Sequence, residues 1–162
     1  MKGQSATEYL MTYSWALVII AVAVAALYAL GVFSPQSLAA SICSFPADFG
    51  CYSAVLLPNG NVVINLEQST NYPINVTAIG CNDAGTNSNM VPVNSIAGWR
   101  GAAVINVEVG GNFTFQVPCY KSGSVFTGTV GQLYSGYAIV NYTDTETGFQ
   151  HQVTGRLVQK VG

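Results

Sequence analysis

Residues 61–67, NVVINLE, place Val62, Ile64 and Leu66 on one side of an extended chain and polar residues mostly on the other. Successive side chains of a strand point to opposite faces, so this period of two marks a half-buried strand. The same pattern recurs outward from it. Residues 74–80, INVTAIG, align Ile74, Val76 and Ala78, and residues 112–117, NFTFQV, align Phe113, Phe115 and Val117. Residues 137–142, YAIVNY, and 151–161, HQVTGRLVQKV, continue it. Turn formers punctuate the runs at 58–60 (PNG), 110–112 (GGN) and 145–148 (TETG). Short strands at this spacing, rich in Val, Ile, Thr, Tyr and Phe, predict an antiparallel sandwich of about seven to nine strands.

The period changes before residue 41. No charged residue lies between Glu8 and Asp48, and residues 15–30 are nearly unbroken Ala, Val, Ile and Leu. This pattern predicts a helix over about 5–33. Such a helix would be roughly 43 Å long at about 1.5 Å per residue, more than the about 30 Å of a bilayer core. Ser5-Ala6-Thr7-Glu8 reads as a capping box, and Gly31 with Pro35 reads as a stop. Tyr9, Tyr13 and Trp15 cluster near the start, as interfacial aromatics do. Ala21, Ala25 and Ala29 form a small-residue stripe, which permits either close helix packing or simple exposure to lipid.

The expected fold class is therefore α+β: a long hydrophobic N-terminal α-helix followed by an all-β, immunoglobulin-like antiparallel sandwich head. The divisions are residues 1–3, a helix within 4–34, a linker over 35–41 and the head over 42–162.

Composition narrows the function classes. The chain has 162 residues, of which 7% are charged, with net charge −2. Soluble domains average about 25% charged residues. Five Lys and Arg spread over the chain form no basic patch, which argues against nucleic acid as the main partner. Cys43, Cys51, Cys81 and Cys119 contain no C-x-x-C pair and lie far from the lone His151, which favours disulfides over zinc. Three pairings are possible. The one favoured joins Cys43 to Cys51 as a local clip and Cys81 to Cys119 as a staple between strands.

Residues 1–13, MKGQSATEYLMTY, resemble the start of an archaeal type IV pilin precursor. In that family a short leader ends in a basic residue and glycine, here Lys2-Gly3. The resemblance implies that a prepilin peptidase cuts after Gly3 and leaves Gln4 as the new N-terminus. It also implies that Glu8 is an assembly residue. A cationic amine on Gln4 is costly in an apolar core unless paired, and Glu8 of the same or a neighbouring subunit would pair with it. The implied partners are identical subunits in a helical filament, the prepilin peptidase and the assembly machinery, with residence in the cytoplasmic membrane before assembly and outside the cell after it. The function so implied is a structural filament subunit, with adhesion as the expected role and aggregation or DNA uptake as open alternatives to it. The alternatives are a membrane-tethered binding ectodomain that stays monomeric, and an archaellin-type or minor pilin subunit.

Three N-x-T sequons, at Asn75, Asn112 and Asn141, are candidate glycan sites. Nothing points to catalysis or a cofactor. A Ser-His-Asp arrangement would have to recruit His151 with Asp83 or Asp144 and has no supporting motif. Asp144 and Glu146 read as a solvated turn, too thin for a calcium site.

Overall fold

The computed structural model describes residues 4–32, 40–96 and 104–162, with the side chains of 4–10 and 12 outside that description. The chain divides into two units, Met1–Ala39 and Ala40–Gly162. The leader 1–3 and most of the linker expected over 35–41 lie outside the described residues.

In the first unit, α1 covers Gln4–Ala29. Its end is a Schellman motif. Val32 N–H donates to the Leu27 carbonyl at 3.2 Å and Gly31 N–H to the Tyr28 carbonyl at 3.0 Å. Gly31 sits at φ 71°, the left-handed conformation that glycine adopts without a Cβ penalty. The other end differs from the capping-box expectation: Gln4 is already helical, so Ser5 lies within the helix and not in front of it. The expected membrane-length rod is also corrected. Among the described residues no helix is long and apolar enough to cross a membrane. The first turns carry Gln4, Ser5, Thr7, Glu8, Thr12 and Ser14, and the unbroken apolar part of α1, 15–29, is only fifteen residues. A span needs about twenty.

The second unit is built from β1 (Ile42–Ser44), β2 (Phe49–Leu56), β3 (Asn61–Gln68), β4 (Ile74–Asn82), β5 (Val91–Pro92), β6 (Ile105–Val107), β7 (Asn112–Lys121), β8 (Ser124–Val125), β9 (Leu133–Asp144) and β10 (Gln150–Lys160), with a 3-10 turn at Val93–Ser95. They form one ten-stranded sheet in the order β1-β10-β9-β4-β7-β3-β2, with β5 and β6 on β4 and β8 on β7. This corrects the expected immunoglobulin-like sandwich. The sheet curls into a nearly closed barrel, and β4 and β7 run parallel where they meet. A sandwich leaves sheet edges open, whereas closure removes most of that unpaired backbone.

The barrel has two weak seams. At one, β4 and β7 share only Cys81↔Cys119 and Asn82↔Tyr120. At the other, among the described residues no ladder joins the end strands β1 and β2, and β2 reaches the far side of the sheet only through a single bridge, Leu56↔Val161, just past the end of β10. Each seam carries a disulfide. Cys81–Cys119 joins β4 to β7 with Cα atoms 4.4 Å apart. Cys43–Cys51 joins β1 to β2 with Cα atoms 5.9 Å apart.

Strand alternation fills the interior. Val62, Ile64 and Leu66 from β3 and Phe113, Phe115 and Val117 from β7 are buried. On β4, Ile74 and Val76 point inward, but Ala78 does not. A bulge at Thr77 shifts the β4–β9 register between Val76 and Ala78. The burial phase then resumes at Ile79 and Cys81. The Thr77 hydroxyl donates to the Asn141 carbonyl at 3.1 Å, occupying the bulge. Phe49 stands edge-on to Phe113 and Tyr142, at 6.3 and 5.3 Å between ring centroids. At the β2–β3 turn Gly60 has φ 83°, and a Cβ there would collide with the Phe126 carbonyl.

Two measurements check this construction. In the chain-entropy account, opening the loops of sequence separation 8 and 38 costs about 2.5 and about 4 kcal/mol respectively. Guanidinium unfolding of the Cys43→Ser/Cys51→Ser and Cys81→Ser/Cys119→Ser chains should therefore show the larger loss for the second pair. Tyr134 lies behind that second staple, fully buried, with its hydroxyl donating to the Tyr120 carbonyl at 3.0 Å. Burial, then the charge of Asp83, raises its pKa above the ordinary 10.0. The folded state thus holds a proton that the unfolded state releases near pH 10. Stability is full below that pH and falls as pH rises above it. In Tyr134→Phe the alkaline decline in unfolding midpoint should be shallower than in the parent chain.

Candidate functional site

The sequence places an uninterrupted apolar run on α1, and the structure leaves it uncovered. Trp15, Leu17, Val18, Ile19, Ile20, Val22, Val24 and Tyr28 are each exposed by more than half of their surface. These positions advance by 100° each and go all the way round the helix, so no single stripe faces a core. Ala21, Ala25 and Ala29 are exposed as well, one turn apart, and keep one line of the surface low. A soluble monomer rarely shows a contiguous apolar surface of this extent. A helix apolar on every side is stable only where other apolar matter surrounds it.

The residues expected for processing and assembly stand at the other end of α1. Gly3 lies outside the described residues. Gln4 and Glu8 are helical, and their side chains lie outside the description. Glu8 is thus on the same helix as the alanine stripe, in its second turn.

On the barrel, the three sequons occupy different surroundings. Asn112 opens β7 and is exposed, as is Thr114 two residues on. Asn75 is half-buried, and its Oδ1 accepts from Asn106 Nδ2 at 3.0 Å. Asn141 is half-buried. Its Nδ2 donates to Asn87 Oδ1 at 3.4 Å, and its own Oδ1 is buried with no hydrogen-bond partner.

The acidic residues considered for catalysis hold loops. Asp144 Oδ1 accepts from the backbone N–H groups of Glu146 and Thr147, at 2.8 and 3.2 Å, and so shapes the β9–β10 turn. Asp83 Oδ2 accepts from Ser122 N–H at 2.9 Å. His151 is exposed and stacks on Tyr142, with centroids 5.3 Å apart and planes 25° from parallel. Among the described residues no group of three or more His, Cys, Asp or Glu is placed to hold a metal ion.

The Tyr142–His151 pair escapes a residue-by-residue reading of the sequence. The two are cross-strand partners in the β9–β10 ladder. The turn at 145–148 carries the signal: once Asp144 faces Phe149, the register runs outward to Tyr142 opposite His151.

Compared with known protein families and with curated proteins, the chain matches none.

Proposed function

We propose that the chain is the structural subunit of an extracellular filament of the archaeal type IV pilus kind, held together by its N-terminal helices. The observation that carries this reading is the apolar surface of α1, exposed on all sides from Trp15 to Tyr28. Several further copies of the same helix would cover it, and the line of Ala21, Ala25 and Ala29 would let two backbones approach closely. The work of such a subunit is mechanical, not catalytic. In assembly, cleavage after Gly3 would place the Gln4 amine near Glu8. That pairing favours the charged amine inside an apolar core. The barrels would line the outside, kept shut by their two disulfides in an oxidising environment.

Shearing material from cells, viewing it by electron microscopy and sequencing its N-terminus tests the reading. Filaments whose subunits begin at Gln4 are expected. Val22→Lys puts a charge into the proposed core, and Glu8→Ala removes the partner of the amine. Both should abolish or sharply reduce filaments while the secreted barrel keeps its β circular dichroism. Single, uncut copies as the sole form, or filaments unchanged in Val22→Lys, would refute it.

A low share of charged residues leaves the outer wall to be wetted by polar side chains and by glycans. Of the three sequons, Asn112 is the one whose amide is exposed, so it is the expected glycan site. Intact-mass measurement should show one glycan, lost in Asn112→Gln and retained in Asn75→Gln and Asn141→Gln.

A further inference from the structure

At one end of the barrel three connections gather: the β1–β2 loop, the β3–β4 loop and the β9–β10 turn. Ser69 N–H donates to the Asp48 carbonyl at 2.8 Å, and the Thr145 hydroxyl donates to the Pro73 carbonyl at 2.8 Å, tying the three together. One open cleft of about 270 Å³ lies here, a second of the same volume lies over β4, β9 and β10 beside Asn87, and Tyr142 and His151 line both. Each is a little below the range of about 300–1,000 Å³ that holds drug-sized ligands. The aromatic wall between them is braced from behind, because buried Phe49 packs edge-on against Tyr142. The His151 ring closes the stack on the solvent side.

The two clefts differ in chemistry. The first presents Asp48, Asp144 and the Thr70 and Tyr72 side of the β3–β4 loop. The second presents side-chain amides: Asn87 Nδ2 donates to Gln152 Oε1 at 2.7 Å, and Asn141 reaches Asn87. Among the described residues no Lys or Arg lines either cleft. Burial, then the charges of Asp48 and Asp144, raises the Tyr142 pKa, so its hydroxyl stays protonated. The buried Asn141 Oδ1 is an acceptor whose hydrogen bond is unmade, a state that calls for an explanation in a folded protein.

We infer that these clefts form a carbohydrate-binding site for neutral or amino-substituted pyranose sugars. A pyranose has one apolar C–H face and a rim of hydroxyls. The exposed imidazole face offers a flat surface for the first, and the amides and carboxylates offer paired donors and acceptors for the second. The two clefts on either side of one aromatic wall suit adjacent rings of an oligosaccharide. Asp48 and Asp144 repel a sugar carboxylate, and among the described residues no Lys or Arg beside them in the cleft offsets that charge, so acidic sugars are selected against. The site belongs to the barrel and stands whether or not the chain forms filaments; in a filament it would give adhesion its target class.

The test is fluorescence anisotropy of the full chain with three labelled probes: a mannose oligosaccharide, a chitosan oligosaccharide and a galacturonate oligosaccharide. The first two should bind and the third should not. His151→Ala should weaken both by roughly tenfold, the scale of one lost aromatic contact. Asp48→Asn should weaken the chitosan probe and leave the mannose probe nearly unchanged. Gln152→Ala, on the exposed side of the second cleft, gives an independent variant, with circular dichroism confirming the fold of each. Failure of both sugars to bind, binding of galacturonate as tight as the others, or full affinity in folded His151→Ala would overturn the proposal. Filament assays are separate, so either reading can fail alone.

Discussion

The barrel depends on two covalent staples placed where its hydrogen-bonded ladder is weakest. Long ladders hold most of it: eleven residue pairs join β9 to β10, and seven join β3 to β7. The circle they form would open at β4/β7, where two pairs remain, and at β1/β2, where one bridge stands nearby. Each disulfide limits how far those seams can part in the unfolded chain as well as in the folded one. Closing both seams encloses the aromatic and aliphatic interior from Phe49 to Val161. That closed wall in turn fixes the loop cluster at which Tyr142 and His151 stand.

The same chain carries two surfaces of opposite character. The barrel buries most of its large apolar side chains, exposes a scattered few such as Val55, Val130 and Phe149, and carries few charges. The helix shows apolar side chains all round and has no charged residue after Glu8. Area-based hydrophobic stabilisation of about 25 cal/mol per Å² makes such a surface a strong driver of association. Association of identical helices would satisfy it without any change in the barrel. In the proposed filament, this difference would give association to the helix and leave other contacts to the barrel.

Much of the barrel was legible because strand alternation is local. Val62, Ile64 and Leu66, and likewise Phe113, Phe115 and Val117, announce their inward faces without reference to any partner. The turns at 58–60 and 145–148 were legible for the same reason, since Gly60 and Gly148 adopt positive φ. What depended on distant partners was not. Alternation alone places Ala78 on the inner face, because nothing in residues 74–80 reveals the bulge at Thr77. The parallel meeting of β4 and β7 joins residues 38 positions apart, and it turns the expected sandwich into a nearly closed barrel. Strands as short as β5 and β8, two residues each, lie below any readable period. At the helix, hydrophobicity is legible but its extent is not: the polar first turns belong to α1 and shorten its apolar part. The aromatic cleft was hidden because a lone histidine carries no signal until the register sets it against Tyr142.

The claim that two staples shut the barrel is tested most directly by native-state hydrogen exchange, read by mass spectrometry, on oxidised and reduced chains. Reduction is predicted to remove protection first at β1, at β2 and around Cys81–Asn82 and Cys119–Tyr120, while the β9–β10 and β3–β7 ladders keep theirs. Protection lost evenly across all ladders, or unchanged at both seams, would contradict the account.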